Sequence, residues 1–119
     1  MTETDAGGEA PLDVSLFQQV DIRVGVVRLV ESAEGTRIPS YRLVIDFGPD
    51  IGTRTSIAQA THYPPEALEG KQVLAVINLK PRQIGPHRSE VLTLGVPTAD
   101  RGTALIVPDV PAIVGGRLF

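Results

Sequence analysis

The sequence predicts an all-β domain of small α content: a five-stranded Greek-key barrel with one short helix at its N-terminus and another between strands three and four. Three observations predict it. Apolar residues recur with a period of two through most of the chain. Turn signals rich in Gly and Pro separate those runs at short intervals. One interior helical signature, Tyr63-Pro-Pro-Glu-Ala-Leu-Glu-Gly70, falls after the third run. At 119 residues the chain has the length of one domain, and such a domain buries roughly two thirds of its unfolded surface without needing disulfide staples.

Residues 1–13 carry Glu3, Asp5, Glu9 and Asp13 with no base and are Gly-rich, so they read as a disordered acidic tail. The barrel domain is expected over residues 14–108, and residues 109–119 form a C-terminal extension. A short helix from Ser15 to Val20, capped by Asp13 or Ser15, gathers Leu16, Phe17 and Val20 on one side. Alone it is too short to persist, so it needs something to pack on.

Strand one runs from Asp21 to Glu31. Ile22, Val24 and Val26 share a face, but the inward phase slips near Gly25–Val27, where a bulge at the glycine is expected. Strand two, Ser40 to Phe47, puts Tyr41, Leu43, Ile45 and Phe47 on one side and Arg42, Val44 and Asp46 on the other. Strand three, Thr53 to Ala60, follows the Gly48–Gly52 turn. After the Tyr63–Gly70 helix comes strand four, Lys71 to Leu79, apolar on both faces, so its outer face must be covered. A linker from Lys80 to Arg88 leads to strand five, Ser89 to Val96, and a last short strand spans Ala104 to Val107. This order, with one helix between strands three and four, is the connectivity of an OB-fold, whose open face often holds nucleic acid. Another small β-barrel is the alternative. No internal repeat is visible.

Composition removes several function classes. Zero Cys excludes disulfides, thiolate nucleophiles and thiolate metal sites, and two His far apart in sequence argue against a histidine metal site. No Walker loop, GxSxG, GxGxxG or HExxH occurs. No enzyme, cofactor or metal is therefore expected, and His62 and His87 read as surface polar residues. The longest apolar run, Val73–Ile77, is too short to span a bilayer, and the N-terminus lacks a signal-peptide pattern, so no membrane role and a cytoplasmic location are expected.

The net charge of −3 hides an uneven distribution, because four acids sit in the tail. Nine of the 11 bases are Arg, the residue suited to bidentate phosphate contacts. The segment from Asn78 to Glu90 carries Lys80, Arg82 and Arg88 before any acid, stiffened by Pro81, Gly85 and Pro86. A stiff loop loses less freedom on binding. Asn78, Gln83 and Ser89 add hydrogen-bonding groups, and Arg37, Arg42 and Arg54 are expected to extend the strip into one cationic groove for an RNA strand. The bland alternative is a solvated charged loop.

At these residues the sequence resembles the tRNA-binding OB-domain family, which also supplies the C-terminal domain of many methionyl-tRNA synthetases and the EMAPII-type domains. The carriers are Phe17-x-x-Val-Asp-Ile-Arg-Val-Gly25, Tyr63-x-x-Glu-x-Leu-x-Gly70, Asn78-Leu-x-Pro-Arg82 and Ser89-Glu90. Tyr41-Arg-Leu-Val-Ile-Asp-Phe-Gly48, Pro81-Arg-Gln-Ile-Gly85 and Ser89-Glu-Val-Leu-Thr-Leu-Gly95 favour the CsaA-type, export-related chaperone branch. The resemblance implies a non-catalytic homodimer that binds tRNA or other structured RNA, with binding of unfolded preproteins or peptides as the alternative function. It places Asn78, Arg82, Ser89 and Glu90 on the family's binding motif.

A dimer is also expected on physical grounds. The Leu16/Phe17/Val20 side of the short helix, Leu74 and Val76 on strand four, and Val114, Leu118 and Phe119 near the C-terminus leave apolar surface without an evident partner. One twofold interface covers all of them.

Overall fold

Strand β1 (Ile22–Ser32) is the spine of the molecule. In a computed structural model that describes residues 10–119, its first half pairs with β4 (Gln72–Val76) and its second half with β2 (Tyr41–Asp46), both antiparallel. Adding β3 (Thr53–Ala58) beside β2 and β7 (Leu92–Thr93) beside β4 gives the order β3-β2-β1-β4-β7, a nearly closed five-stranded antiparallel barrel. Two ribbons stand outside that sheet: β5 (Arg82–Ile84) with β6 (His87–Ser89), and β8 (Gly95–Pro97) with β9 (Thr103–Leu105). Helices α1 (Val14–Phe17) and α2 (Pro65–Leu68) complete the chain.

The expected alternation of β2 is what fills the barrel. Leu43, Ile45 and Phe47 are fully buried and meet Val27, Val73, Val91 and Leu68. Leu68 comes from α2, which begins at a proline and stops before Gly70, whose φ of +84° suits glycine. Tyr41 extends the core row and donates its hydroxyl to the Tyr63 carbonyl at 2.8 Å.

The bulge is present, but not at the glycine. Register shifts between Val27 and Leu29, around exposed Arg28. Gly25 lies in regular pairing with Val73 on the core face, and a Cβ there would sit 2.4 Å from Ile45 Cγ2 and 2.7 Å from Phe47 Cε1. It is glycine because Phe47 needs the space. Ile22, Val24 and Val26 therefore lie on the outer face, beside Leu74 and Val76.

That outer face is covered by the chain itself. Residues 115–118 run along β1 where β2 has not yet begun, with Gly115 N donating to Val24 O (2.8 Å), Val24 N to Gly116 O (3.0 Å) and Leu118 N to Ile22 O (2.8 Å). Upstream, the Gln72 amide exchanges a reciprocal pair of 2.8 Å hydrogen bonds with the backbone of Ala112. Val24, Val26 and Val76 are buried as a result, each such side chain contributing about 1.5–3 kcal/mol.

Several boundaries differ from the sequence reading. The expected linker 80–88 is an ordered hairpin, because Gly85 (φ +57°) and Pro86 close a tight turn between β5 and β6. The expected strand 89–96 is broken into three pieces as the chain leaves β6, joins β4 and then turns into the β8–β9 ribbon. The last strand spans 103–105 rather than 104–107. Helix α1 stops at Phe17, capped by the Asp13 carboxylate accepting from Ser15 N at 3.0 Å. Of the expected tail 1–13, residues 1–9 lie outside the described residues.

Candidate nucleic-acid interface

The free edge of β3 decides how the site is built. Edge N–H groups must find partners. Here Thr55 N donates to Glu90 Oε1 at 2.8 Å and Ile57 N to Ser89 Oγ at 3.0 Å, while Glu90 N donates to Thr55 O at 2.9 Å. Thr93 Oγ1 to Ser56 Oγ, 2.8 Å, adds a further tie. These contacts close the barrel and seat the β5–β6 hairpin against β3.

Two expected site residues, Ser89 and Glu90, supply these contacts. Ser89 has no exposed surface, and its hydroxyl accepts from Ile57 N while donating to Val91 O at 3.1 Å. Glu90 is held by both the N–H and the hydroxyl of Thr55. The Thr55 backbone bond is the main reason its carboxyl stays below the usual carboxylate range. The Thr55 hydroxyl and the nearby Arg54 and Arg88 charges push the same way, against partial burial. Both side chains thus tie the interface to the β3 edge, Glu90 through Oε1.

The hairpin and the β1–β2 loop meet at one end of the barrel. His87 Nε2 lies 2.6 Å from Glu34 O, and a Cβ on Gly85 would sit 2.6 Å from Gly35 O, so the close approach requires glycine. Arg37 is exposed in the same loop, one residue beyond Thr36, whose Cα would lie 3.3 Å from a Cβ on Gly85. Register sets the faces of the ribbon: Arg82 opposes Ser89, and Gln83 opposes Arg88. Arg82 and Arg88 consequently project from opposite faces. Arg82 turns inward, with Nη2 donating to Val91 O (3.0 Å) and Ser89 Oγ (3.2 Å), whereas Arg88 and Lys80 are exposed.

Of the remaining expected residues, Arg54 shares with Arg88 the neighbourhood of Glu90, while Arg42 and Asn78 lie elsewhere. Arg42 lies on the outer face of β2 and is neutralised by Glu31, with Nη1 2.9 Å from Oε1. Arg54 pairs with Ile45 and so faces the barrel end, donating to Ile51 O at 3.3 Å. Asn78 sits at the far end of β4, where Oδ1 accepts from Asp21 N (2.8 Å) and Nδ2 donates to Gln19 O (2.7 Å). It anchors the α1–β1 connection. Carboxylates likewise occupy the cations of β1 and the C-terminus: Asp46 pairs with Arg28 at 3.5 Å, and Asp21 with Arg23 at 2.6 Å and Arg117 at 3.5 Å. Among the described residues, Arg37, Arg54, Lys71, Lys80, Arg82, Arg88 and Arg101 have no salt bridge, and Lys80, Arg82 and Arg88 lie on or next to the hairpin.

Arg101 was not anticipated. It is the one non-glycine residue with positive φ (+68°) among the described residues, in the β8–β9 turn. With Arg82 it lines a groove of about 500 Å³ between β3, β5 and the β8–β9 ribbon. Only the base within Asp100-Arg101-Gly102 hinted at it, and nothing local in the sequence relates that turn to β5.

The expected dimer residues divide in two. Leu16, Phe17, Val20 and Phe119 are exposed, and Phe17, Val20, Leu118 and Phe119 line a cleft of about 400 Å³. Arg117 Nη2 donates to Gln18 O at 2.7 Å, tying the C-terminus to α1. Val76 is buried within the chain and Leu74 half-buried under the C-terminal extension, so strand four offers less surface than expected. Val114 is exposed beside Gly48.

Among the described residues no helix is long and apolar enough to cross a membrane, and no group of three or more acids or histidines is placed to hold a metal ion.

Known proteins resemble this chain in sequence and in fold. Residues 22–117 match the family described as "Putative tRNA binding domain". A methionine–tRNA ligase of Methanosarcina mazei is 31% identical over 107 residues, covering 90% of this chain and 15% of the ligase. That of Bacteroides fragilis is 35% identical over 102 residues, covering 83% of this chain and 14% of the ligase. The chain thus spans only a small part of these relatives. Among solved structures, the CsaA chaperone protein of Picrophilus torridus superimposes with a TM-score of 0.86 at 38% identity, over 92% of this chain and 100% of that one. The chaperone CsaA of Bacillus anthracis gives 0.84 at 38% identity with the same coverage. A MetRS-related protein of Pyrococcus horikoshii gives 0.80 at 31% identity, over 93% and 100%. By the family match over residues 22–117 and the identity to these relatives, the chain belongs to the tRNA-binding domain family.

Proposed function

We infer that this chain is a non-catalytic, cytoplasmic RNA-binding module that acts as a homodimer and holds tRNA or a similarly folded RNA on its hairpin end. One observation carries the reading. Arg23, Arg28, Arg42 and Arg117 form close ion pairs with carboxylates, whereas Arg37, Lys80, Arg82 and Arg88, clustered on and beside a stiff, docked hairpin, form none, as is also true of Arg54, Lys71 and Arg101. Unpaired guanidinium groups on a preorganised element suit phosphate oxygens. Phosphate neutralisation releases counterions, so binding weakens with salt, with a log–log slope of about −0.7 to −0.9 per phosphate. tRNA titrations at two ionic strengths test this: a slope corresponding to about three or more phosphates supports it, and no binding at low salt overturns it. Two such surfaces in a dimer would act bivalently on one RNA.

The similarity to CsaA chaperones supports a second reading, capture of unfolded preprotein segments in the apolar cleft around Phe17, Val20 and Phe119. Such binding survives high salt and suppresses aggregation of an unfolded client. Peptide capture that vanishes together with RNA binding on raising the salt argues against it.

A further inference from the structure

The geometry points to the groove between Arg82 and Arg101 as a subsite for one unstacked nucleotide, its phosphate between the two guanidiniums and its base against the apolar wall. This deepens the RNA-binding reading and rests on it. The groove, about 500 Å³, falls in the usual range of small-ligand pockets, about 300–1,000 Å³. Its lining contains two arginines and no carboxylate, so it is matched to an anion. Arg82 commits Nη2 to Ser89 and Val91, which fixes its plane, and its Nε and Nη1 make no hydrogen bond among the described residues. Ile57, Ile84 and Leu105 supply the apolar wall, and Gln59 offers a carboxamide that can both donate to and accept from a base edge. No aromatic side chain lines the groove, so the base would rest on aliphatic groups and on a guanidinium plane.

The backbone of Arg101 is an independent observation. Its φ of +68° lies in the left-handed region, where glycine is unstrained and arginine is not. The turn is held rigidly around it, with Gly102 N donating to Thr98 Oγ1 at 2.8 Å and Thr98 N to Gly102 O at 3.1 Å. A left-handed residue is the usual closure of so short a hairpin loop, and here it fixes the direction in which the Arg101 side chain leaves the turn to line the groove. An extended peptide suits the groove less well: the β3 edge, which would offer it backbone hydrogen bonds, is already occupied by Ser89, Glu90 and Val91.

The test uses the full chain and two probes, an unstructured oligouridylate and a blunt RNA duplex. Arg101→Gly removes the guanidinium and relieves the φ strain, so thermal unfolding should be unchanged or raised and a folding failure is not expected. Oligouridylate affinity should fall about tenfold while duplex affinity holds. Arg88→Glu should weaken both. If Arg101→Gly leaves oligouridylate binding intact while Arg88→Glu weakens both probes, the nucleotide subsite is overturned and the RNA-binding reading stands. If neither variant changes either probe, the RNA-binding reading falls with it. A short acidic peptide that binds in an Arg101-dependent way while oligouridylate does not bind also overturns the assignment, in favour of a peptide site.

Discussion

The Glu90 carboxylate accepts both the backbone N–H and the hydroxyl of Thr55, at 2.8 and 3.0 Å, and so joins the last part of the barrel to the free edge of β3. The bond to the Thr55 backbone, above all, lowers the Glu90 pKa. A carboxylate depressed in the folded state adds stability above its unfolded pKa of about 4.3, and that stability disappears as pH falls through the lower folded value. Wild-type protein should therefore lose more stability than Glu90→Gln on acidification from about pH 5 to pH 3. Parallel urea midpoints for the two proteins across that window would contradict the assignment.

Gly25→Ala should destabilise the fold by about 1–3 kcal/mol. The added methyl would meet Ile45 Cγ2 at 2.4 Å and Phe47 Cε1 at 2.7 Å, both inside a filled core. Chemical denaturation reads the loss directly. A neutral result would mean that Phe47 has room to turn away.

Asn78→Ala should cost about 0.5–1.5 kcal/mol of stability, because water replaces its two solvent-exposed hydrogen bonds to Asp21 N and Gln19 O. tRNA affinity should stay within about twofold, since the residue does not face the hairpin end. A large loss of affinity with unchanged stability would return Asn78 to the binding surface.

The barrel was legible because its signals are local. The Tyr41–Phe47 alternation and the Pro64–Gly70 signature each name their own element, and the order of elements names the fold. Misreadings arose where one strand's role depends on a distant one. The Ile22/Val24/Val26 row is apolar because the C-terminal extension covers it on the outer face, and Gly25 is a glycine because Phe47 crowds it, and both causes are tertiary. The same holds for the site. The Lys80–Arg88 cluster was visible as charge, but its sequence could not show that Glu31 neutralises Arg42 or that Ser89 and Glu90 serve the β3 edge. Arg101 reaches the Arg82 groove through a ribbon that no local periodicity announces.

Phe17→Asp with Phe119→Asp places charges on exposed apolar positions. The folded monomer should tolerate them, whereas a twofold seam around α1 and the C-terminus should not, because an unpaired charge would be buried there. Sedimentation analysis should show a dimer for the wild type and a monomer for the variant. A variant that remains dimeric would place the seam elsewhere.

Arg88 at the hairpin end has no close ion pair whereas Arg42 is paired with Glu31, and neutralising one cation of each kind tests the hairpin-end interface. In tRNA titrations over a salt series, Arg88→Gln should weaken binding severalfold and reduce the log–log salt slope by about 0.7–0.9, the equivalent of one phosphate. Arg42→Gln, which removes a cation already paired with Glu31, should leave both affinity and slope unchanged. Equal effects from the two substitutions, or a larger one at Arg42, would contradict the hairpin-end interface.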